Sequence, residues 1–141
     1  MTFDTLRCVA TLENLNQVIE FVEEAADRFE LAPKKKFGLL VAVEEAFVNV
    51  CHYAYPETEG DVSIACGTDN EAFVVEIADS GAPFDILSLP EPDTTSDIMD
   101  RQIGGLGVHF IRTLTDQVSY RRANGQNILK MVFLQTGEPP Q

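Results

Sequence analysis

Tryptophan is absent, histidine occurs twice and cysteine three times, and only ten Lys and Arg stand against 23 Asp and Glu. Each shortage excludes something. His52 and His109 have no ligand partners at metal spacing, and Cys8, Cys51 and Cys66 form no CxxC pair. The thiols sit in apolar surroundings, so they read as buried and reduced, not as a disulfide framework or a zinc site. A formal net charge of −13 argues against a nucleic-acid backbone as the main partner. No apolar run reaches the length of a membrane span, and the first residues lack the basic-then-apolar pattern of a signal peptide. The expectation is a cytoplasmic chain with no membrane partner.

What is present is a globular composition. The chain has 141 residues, 45% of them hydrophobic, enough for one well-buried core. Residues 1–135 read as a single domain and 136–141, with two prolines, as a frayed tail. Phe3 to Val9 reads as a strand, with Thr11 placed to cap a helix that runs to Phe29. Its apolar positions Leu12, Leu15, Ile19, Val22, Ala26 and Phe29 recur at helical spacing. After the break at Ala32-Pro33, a second helix extends from about Lys34 to Tyr55 and stops at Pro56. Val62 to Cys66 and Ala72 to Ala78 read as strands joined by a turn at Thr68 to Glu71. A third helix covers about Gly105 to Leu114 and buries Leu106, Phe110, Ile111 and Leu114. Gln117 to Arg122 and Gln126 to Leu134 form a hairpin around Asn124-Gly125. The pattern predicts an α+β two-layer sandwich, with helices on one face of a mixed, mostly antiparallel sheet.

Three stretches carry chemistry. On the second helix Leu40, Val43, Phe47, Val50 and Ala54 share one face, while Glu45 and Asn49 lie roughly opposite, one turn apart. Their neighbours Val41, Ala42, Val48 and His52 are mostly small and apolar, which suits a pocket floor better than a solvated stripe. Asn49 offers Mg²⁺ a hard oxygen, and Glu45 offers a base for a hydroxyl. The plain alternative is an exposed helix face carrying an acid and an amide. The second stretch, Asp79-Ser80-Gly81, ends the most apolar strand: Asp79 can accept the exocyclic amine of adenine, and Gly81 permits close backbone approach. An ordinary Asp-Ser-Gly turn is the competing explanation. Third, Gly104-Gly105-Leu106-Gly107 opens a helix whose free N–H groups and dipole favour an anion. It is neither GxxxxGK[ST] nor GxGxxG after a strand, and it also reads as a simple lead-in to a helix. Arg101 is the nearest cation, able to meet a phosphate or to pair with Asp97 or Asp100.

In this order the stretches resemble the boxes of the GHKL (Bergerat-fold) ATPase superfamily, and most closely its bacterial anti-sigma factor serine protein kinases. Glu45-Ala46-Phe47-Val48-Asn49 matches the N box, Asp79-Ser80-Gly81 the G1 box and Gly104-Gly105-Leu106-Gly107 the G2 box. The likeness runs from Leu12 to Leu134. It implies ATP and Mg²⁺ as cofactors, Glu45 as general base, Asn49 as Mg²⁺ ligand, Asp79 and Gly81 at adenine, and Gly104 to Gly107 at the phosphates. Residues Asp85 to Ile103 would be the lid over ATP. It further implies phosphorylation of a serine on an anti-anti-sigma partner, capture of a sigma factor, and a homodimer. The chain departs from the family pattern in an acidic lid (Asp85, Glu91, Asp93, Asp97 and Asp100 against Arg101), in Asn127 where threonine is common, and in His109 where an apolar residue is frequent. The competing function is a non-catalytic nucleotide-binding module that regulates by capturing proteins.

Overall fold

The computed structural model describes residues 3–88 and 105–135, without the side chains of residues 105–107. Five strands and three helices follow in the order β1 (Phe3–Val9), α1 (Leu15–Phe29), α2 (Pro33–Tyr53), β2 (Asp61–Asp69), β3 (Ala72–Asp79), α3 (Gly105–Leu114), β4 (Gln117–Ala123) and β5 (Gln126–Leu134). The strands form one sheet in the order β1-β2-β3-β5-β4.

All four pairings are antiparallel, so the sheet is less mixed than the sequence suggests. The reason is the last hairpin. Asn124 and Gly125 both take positive φ (53° and 76°), the geometry of a tight turn that matches strand twist. That turn folds β5 back between β3 and β4. The two strands joined through α3 therefore run in the same direction but never touch as neighbours.

Alternation along the strands sends Val62, Ile64, Phe73, Val75, Ile77, Met131 and Phe133 into the core beneath the helices. Burying each such side chain contributes roughly 1.5–3 kcal/mol. In the helix layer α2 packs between α1 and α3 and is covered on three sides. This coverage alters the expected faces. Leu39, Ala42, Val43, Ala46 and Phe47 are buried on α2, whereas Leu40 and Val50 are only partly so. Among the described side chains of α3, Val108 and Ile111 are buried, Phe110 is exposed and Leu114 is half-buried against Gly38; Leu106 lies outside them. At the first helix a 3-10 turn over Leu12–Asn14 precedes α1, leaving Leu12 exposed and Thr11 without a side-chain cap bond. Asn14 closes that corner instead, donating to the Val9 carbonyl at 2.8 Å.

All three cysteines are free; Cys66 is buried, while Cys8 and Cys51 are half-buried. Burial pushes the Cys66 thiol up to about 12 and, with Cys8 nearby, the Cys51 thiol up to about 11, so both stay protonated at neutral pH. Among the described residues no helix is long and apolar enough to cross a membrane.

Candidate active site

The inner face of β3 ends at Asp79, directly across from Asn127 on β5. Both side chains are buried. Asp79 Oδ1 accepts the Gly81 backbone N–H and the Asn127 side-chain amide, each at 2.9 Å. The turn that follows is held from several sides. Asn127 also donates to the Ala82 carbonyl at 2.9 Å and accepts the Phe84 N–H at 3.1 Å. Tyr55, two residues past α2, accepts the Ser80 N–H at 2.8 Å and donates to the Asp61 carbonyl at 2.7 Å. Gly81 is needed here for a reason that the sequence did not disclose. A Cβ on it would lie 2.2 Å from the Ala54 carbonyl oxygen, so the turn and the end of α2 meet only because position 81 has no side chain.

One helix layer above, Asn49 is buried and faces the same space. Its amide N–H donates to the Glu45 backbone carbonyl at 2.7 Å. That leaves Asn49 Oδ1 buried with no partner among the described residues, a state that costs about 1–3 kcal/mol unless something binds it. Glu45 is half-buried, and its carboxyl is raised above the ordinary range by burial and, secondarily, by Glu44. The expected opposition of this pair to the core is half right: Asn49 adjoins the buried side of α2, while Glu45 stays at the edge.

Asn49 and Asp79 line one narrow cleft, part of it open to solvent. Its walls are otherwise largely apolar: Ala46, Val50, Ala54, Ile77, Phe84, Ile86 and Leu129, with Tyr120 and Asn127 at one side. Small-molecule sites share this make-up of mostly apolar walls with a few placed polar groups. A flat heterocycle suits the apolar walls, Asp79 offers an acceptor to an N–H at its edge, and the Asn49 oxygen suits a hard cation. Among the described residues no three His, Cys, Asp or Glu side chains converge to hold a metal.

Of the residues singled out from sequence, the structure brings Asn49 and Asp79 to the cleft and sets Gly81 in its turn. Glu45 is not among the lining residues. Gly105, Leu106 and Gly107 open α3 as expected, and α3 packs along α2. Arg101, Gly104 and the lid from residue 89 onward lie outside the described residues. Asp85, the first lid residue, caps a short 3-10 turn at Ile86–Ser88 by accepting the Leu87 N–H at 2.9 Å. Arg112 of α3 donates to the Leu87 carbonyl. Sequence reading missed the structural parts played by Tyr55, Tyr120 and Arg122. It noted Asn127 only as a departure from a family pattern. Pairing of β3 with β5 would have flagged Asn127, but no local signal announces that pairing.

The profile of the histidine kinase-like ATPase domain matches residues 8–133. The chain is similar to a serine-protein kinase RsbW of Bacillus cereus, at 27% identity over 114 residues covering 78% of this chain and 71% of that protein. The RsbW of Bacillus thuringiensis subsp. konkukian matches with the same identity and coverage. Among solved structures it is similar to the histidine kinase AdeS of Acinetobacter baumannii, with a TM-score of 0.49 and 12% identity over 97% of this chain and 69% of that one. Because the profile runs from the end of β1 to the end of β5, taking in every helix and the whole cleft, the chain belongs to the histidine kinase-like ATPase (GHKL) family and its α+β sandwich is of the Bergerat type.

Proposed function

We propose that this chain is an ATP-dependent serine protein kinase of the anti-sigma type, working in the cytoplasm as a homodimer on an anti-anti-sigma protein and a sigma factor. One observation carries the nucleotide part: a buried acceptor, Asp79, and an unpartnered buried oxygen, Asn49 Oδ1, open into one apolar cleft. The kinase part rests on likeness to relatives named serine-protein kinases.

In this reading Asp79 accepts the exocyclic amine of adenine, and Ile77, Phe84, Ile86 and Leu129 exclude water from the ring faces. Asn49 Oδ1 would hold Mg²⁺, which would supply charge neutralisation. Gly104 to Gly107 would offer backbone N–H groups to the phosphates, and Arg101 a cation. Glu45 takes the proton from the substrate serine hydroxyl as that oxygen bonds the γ-phosphorus of ATP and the bond to the β,γ-bridging oxygen breaks, releasing ADP. A raised carboxyl pKa suits a base, because proton acceptance is most effective when the pKa lies nearer the working pH. The −13 charge repels a free triphosphate, which makes the local glycine dipoles and the metal necessary parts of the site.

A second reading, a nucleotide-binding module that captures partners without transfer, is favoured by the absence of Glu45 from the cleft lining. Glu45→Ala separates the two. A kinase keeps its affinity for Mg-ATP and loses phosphoserine formation on the anti-anti-sigma partner. If the wild-type chain forms no phosphoserine at any concentration of that partner, the kinase reading fails and the capture module stands.

A further inference from the structure

We propose that Asn127 sets base selectivity in this cleft as a positioning residue, acting through Asp79 without itself touching the base. The inference rests on the nucleotide reading above.

An asparagine amide has two N–H donors and two lone pairs on its oxygen. Asn127 spends all of them inside the protein. Both N–H groups are used, one on Asp79 Oδ1 and one on the Ala82 carbonyl, each at 2.9 Å. Its oxygen accepts the Tyr120 hydroxyl at 2.6 Å, the Phe84 N–H at 3.1 Å and the Arg122 guanidinium at 3.2 Å. The amide can face only one way, because reversing it would set N–H groups against the Phe84 N–H and the Arg122 guanidinium, and its oxygen against the Asp79 and Ala82 oxygens. No hydrogen-bonding capacity remains for a ligand, even though the residue borders the cleft.

The effect falls on Asp79. With two donors on Oδ1, the carboxylate is held with its other oxygen as the remaining acceptor, and no described residue donates to that oxygen. A ligand edge that meets it must bring an N–H. A ring carbonyl at the same place brings lone pairs and is repelled. Arg122 adds a second clamp, donating to the Gly81 carbonyl at 2.8 Å. The Asp79-to-Phe84 segment is thereby fixed at both ends, and Phe84 is itself a wall of the cleft. Networks so fully satisfied hold one geometry. The selectivity of the carboxylate is therefore stored in a neighbour that makes no contact with the ligand.

The test compares Mg-ADP with the Mg-diphosphates of purine riboside, which lacks the amine, and of inosine, which replaces it with a carbonyl. Titration calorimetry is run on the wild type and on the isosteric pair Asn127→Thr and Asn127→Val, with folding of each checked by thermal unfolding. Threonine keeps a hydroxyl that can donate to Asp79; valine has the same shape and no donor. The wild type should prefer ADP over the purine riboside diphosphate by about ten- to hundredfold, the worth of one hydrogen bond to a charged acceptor. Asn127→Thr should retain most of that ratio, and Asn127→Val should bring it to within about threefold of unity. Equal ratios in the two variants would show that Asn127 only supports the fold, and the inference falls while the nucleotide reading stands. A wild type that binds none of the three ligands removes both. Should Asn127→Val fail to fold, Tyr120→Phe removes the shortest bond to the amide oxygen and should lower the ratio about two- to fivefold. An unchanged ratio there overturns the inference.

Discussion

The two ends of the cleft are built on different principles. At the sheet end Asp79, Gly81, Asn127, Tyr120 and Arg122 form a closed network in which Asp79 Oδ1 and both ends of the Asn127 amide are satisfied within the protein. At the helix end Asn49 keeps a buried oxygen without a partner, and Glu45 carries a carboxyl that burial has made harder to ionise. A satisfied network is rigid and selects by fixed geometry; an unsatisfied one stores a cost that a bound cation or substrate relieves. The sheet end is thus suited to reading a base, and the helix end to chemistry that begins only when ligand arrives.

Substitutions that act on one end and spare the other sharpen this contrast. The largest effect is expected at the helix end: Glu45→Gln should lower phosphoryl transfer by about 10²–10⁴-fold while leaving Mg-ADP affinity within a factor of about two. Equal losses in both quantities would mean that Glu45 belongs to binding. At the sheet end, Asp79→Asn keeps an oxygen for the Gly81 and Asn127 donors but turns the free acceptor into a donor. Mg-ADP affinity should fall about ten- to hundredfold and inosine diphosphate should gain in relative terms, as competition binding would show. A uniform loss for every base would break the claim that this end reads the base edge.

Gly81→Ala acts on the scaffold. Its new Cβ meets backbone at Ala54, which cannot swing aside as a side chain can, so unfolding stability should drop by about 1–3 kcal/mol in a denaturant titration. A neutral result would mean that the turn and the end of α2 separate freely. The smallest effect concerns pH. Because folding raises the Glu45 pKa, the ionised side chain costs stability at neutral pH; the cost is absent below the ordinary value of 4.5 and grows as pH rises through the folded value. Glu45→Gln should therefore raise Tm by about 1–3 °C at pH 7 and leave it unchanged near pH 4. The opposite order would mean that Glu45 is paired in the native state.

The sequence made the elements more legible than their packing. Strong periodic runs and the Asn124-Gly125 turn gave each strand and helix to within a few residues, because those signals are local. On α3 Ile111 is buried as expected, but Phe110, which looks like a core residue, is exposed, and only the packing of α3 against α2 decides that Val108 joins the core. In the site, Asp79 and Asn49 could be singled out because each sits in a short chemical pattern. The share of Asn127 in the site could not, because its meaning depends on a cross-strand neighbour 48 positions away in the chain. Gly81 was singled out for ligand approach, whereas the structural use of its missing Cβ is contact with Ala54.

The central claim is convergence of the two ends on one ligand, and a crystal structure of the complex with Mg-ADP tests it most directly. The account predicts the adenine amine within hydrogen-bond distance of Asp79 and Asn49 Oδ1 bound to Mg²⁺ at about 2.0–2.1 Å. A nucleotide seated elsewhere, or one that reaches Asp79 while Asn49 Oδ1 stays unpartnered, would contradict it.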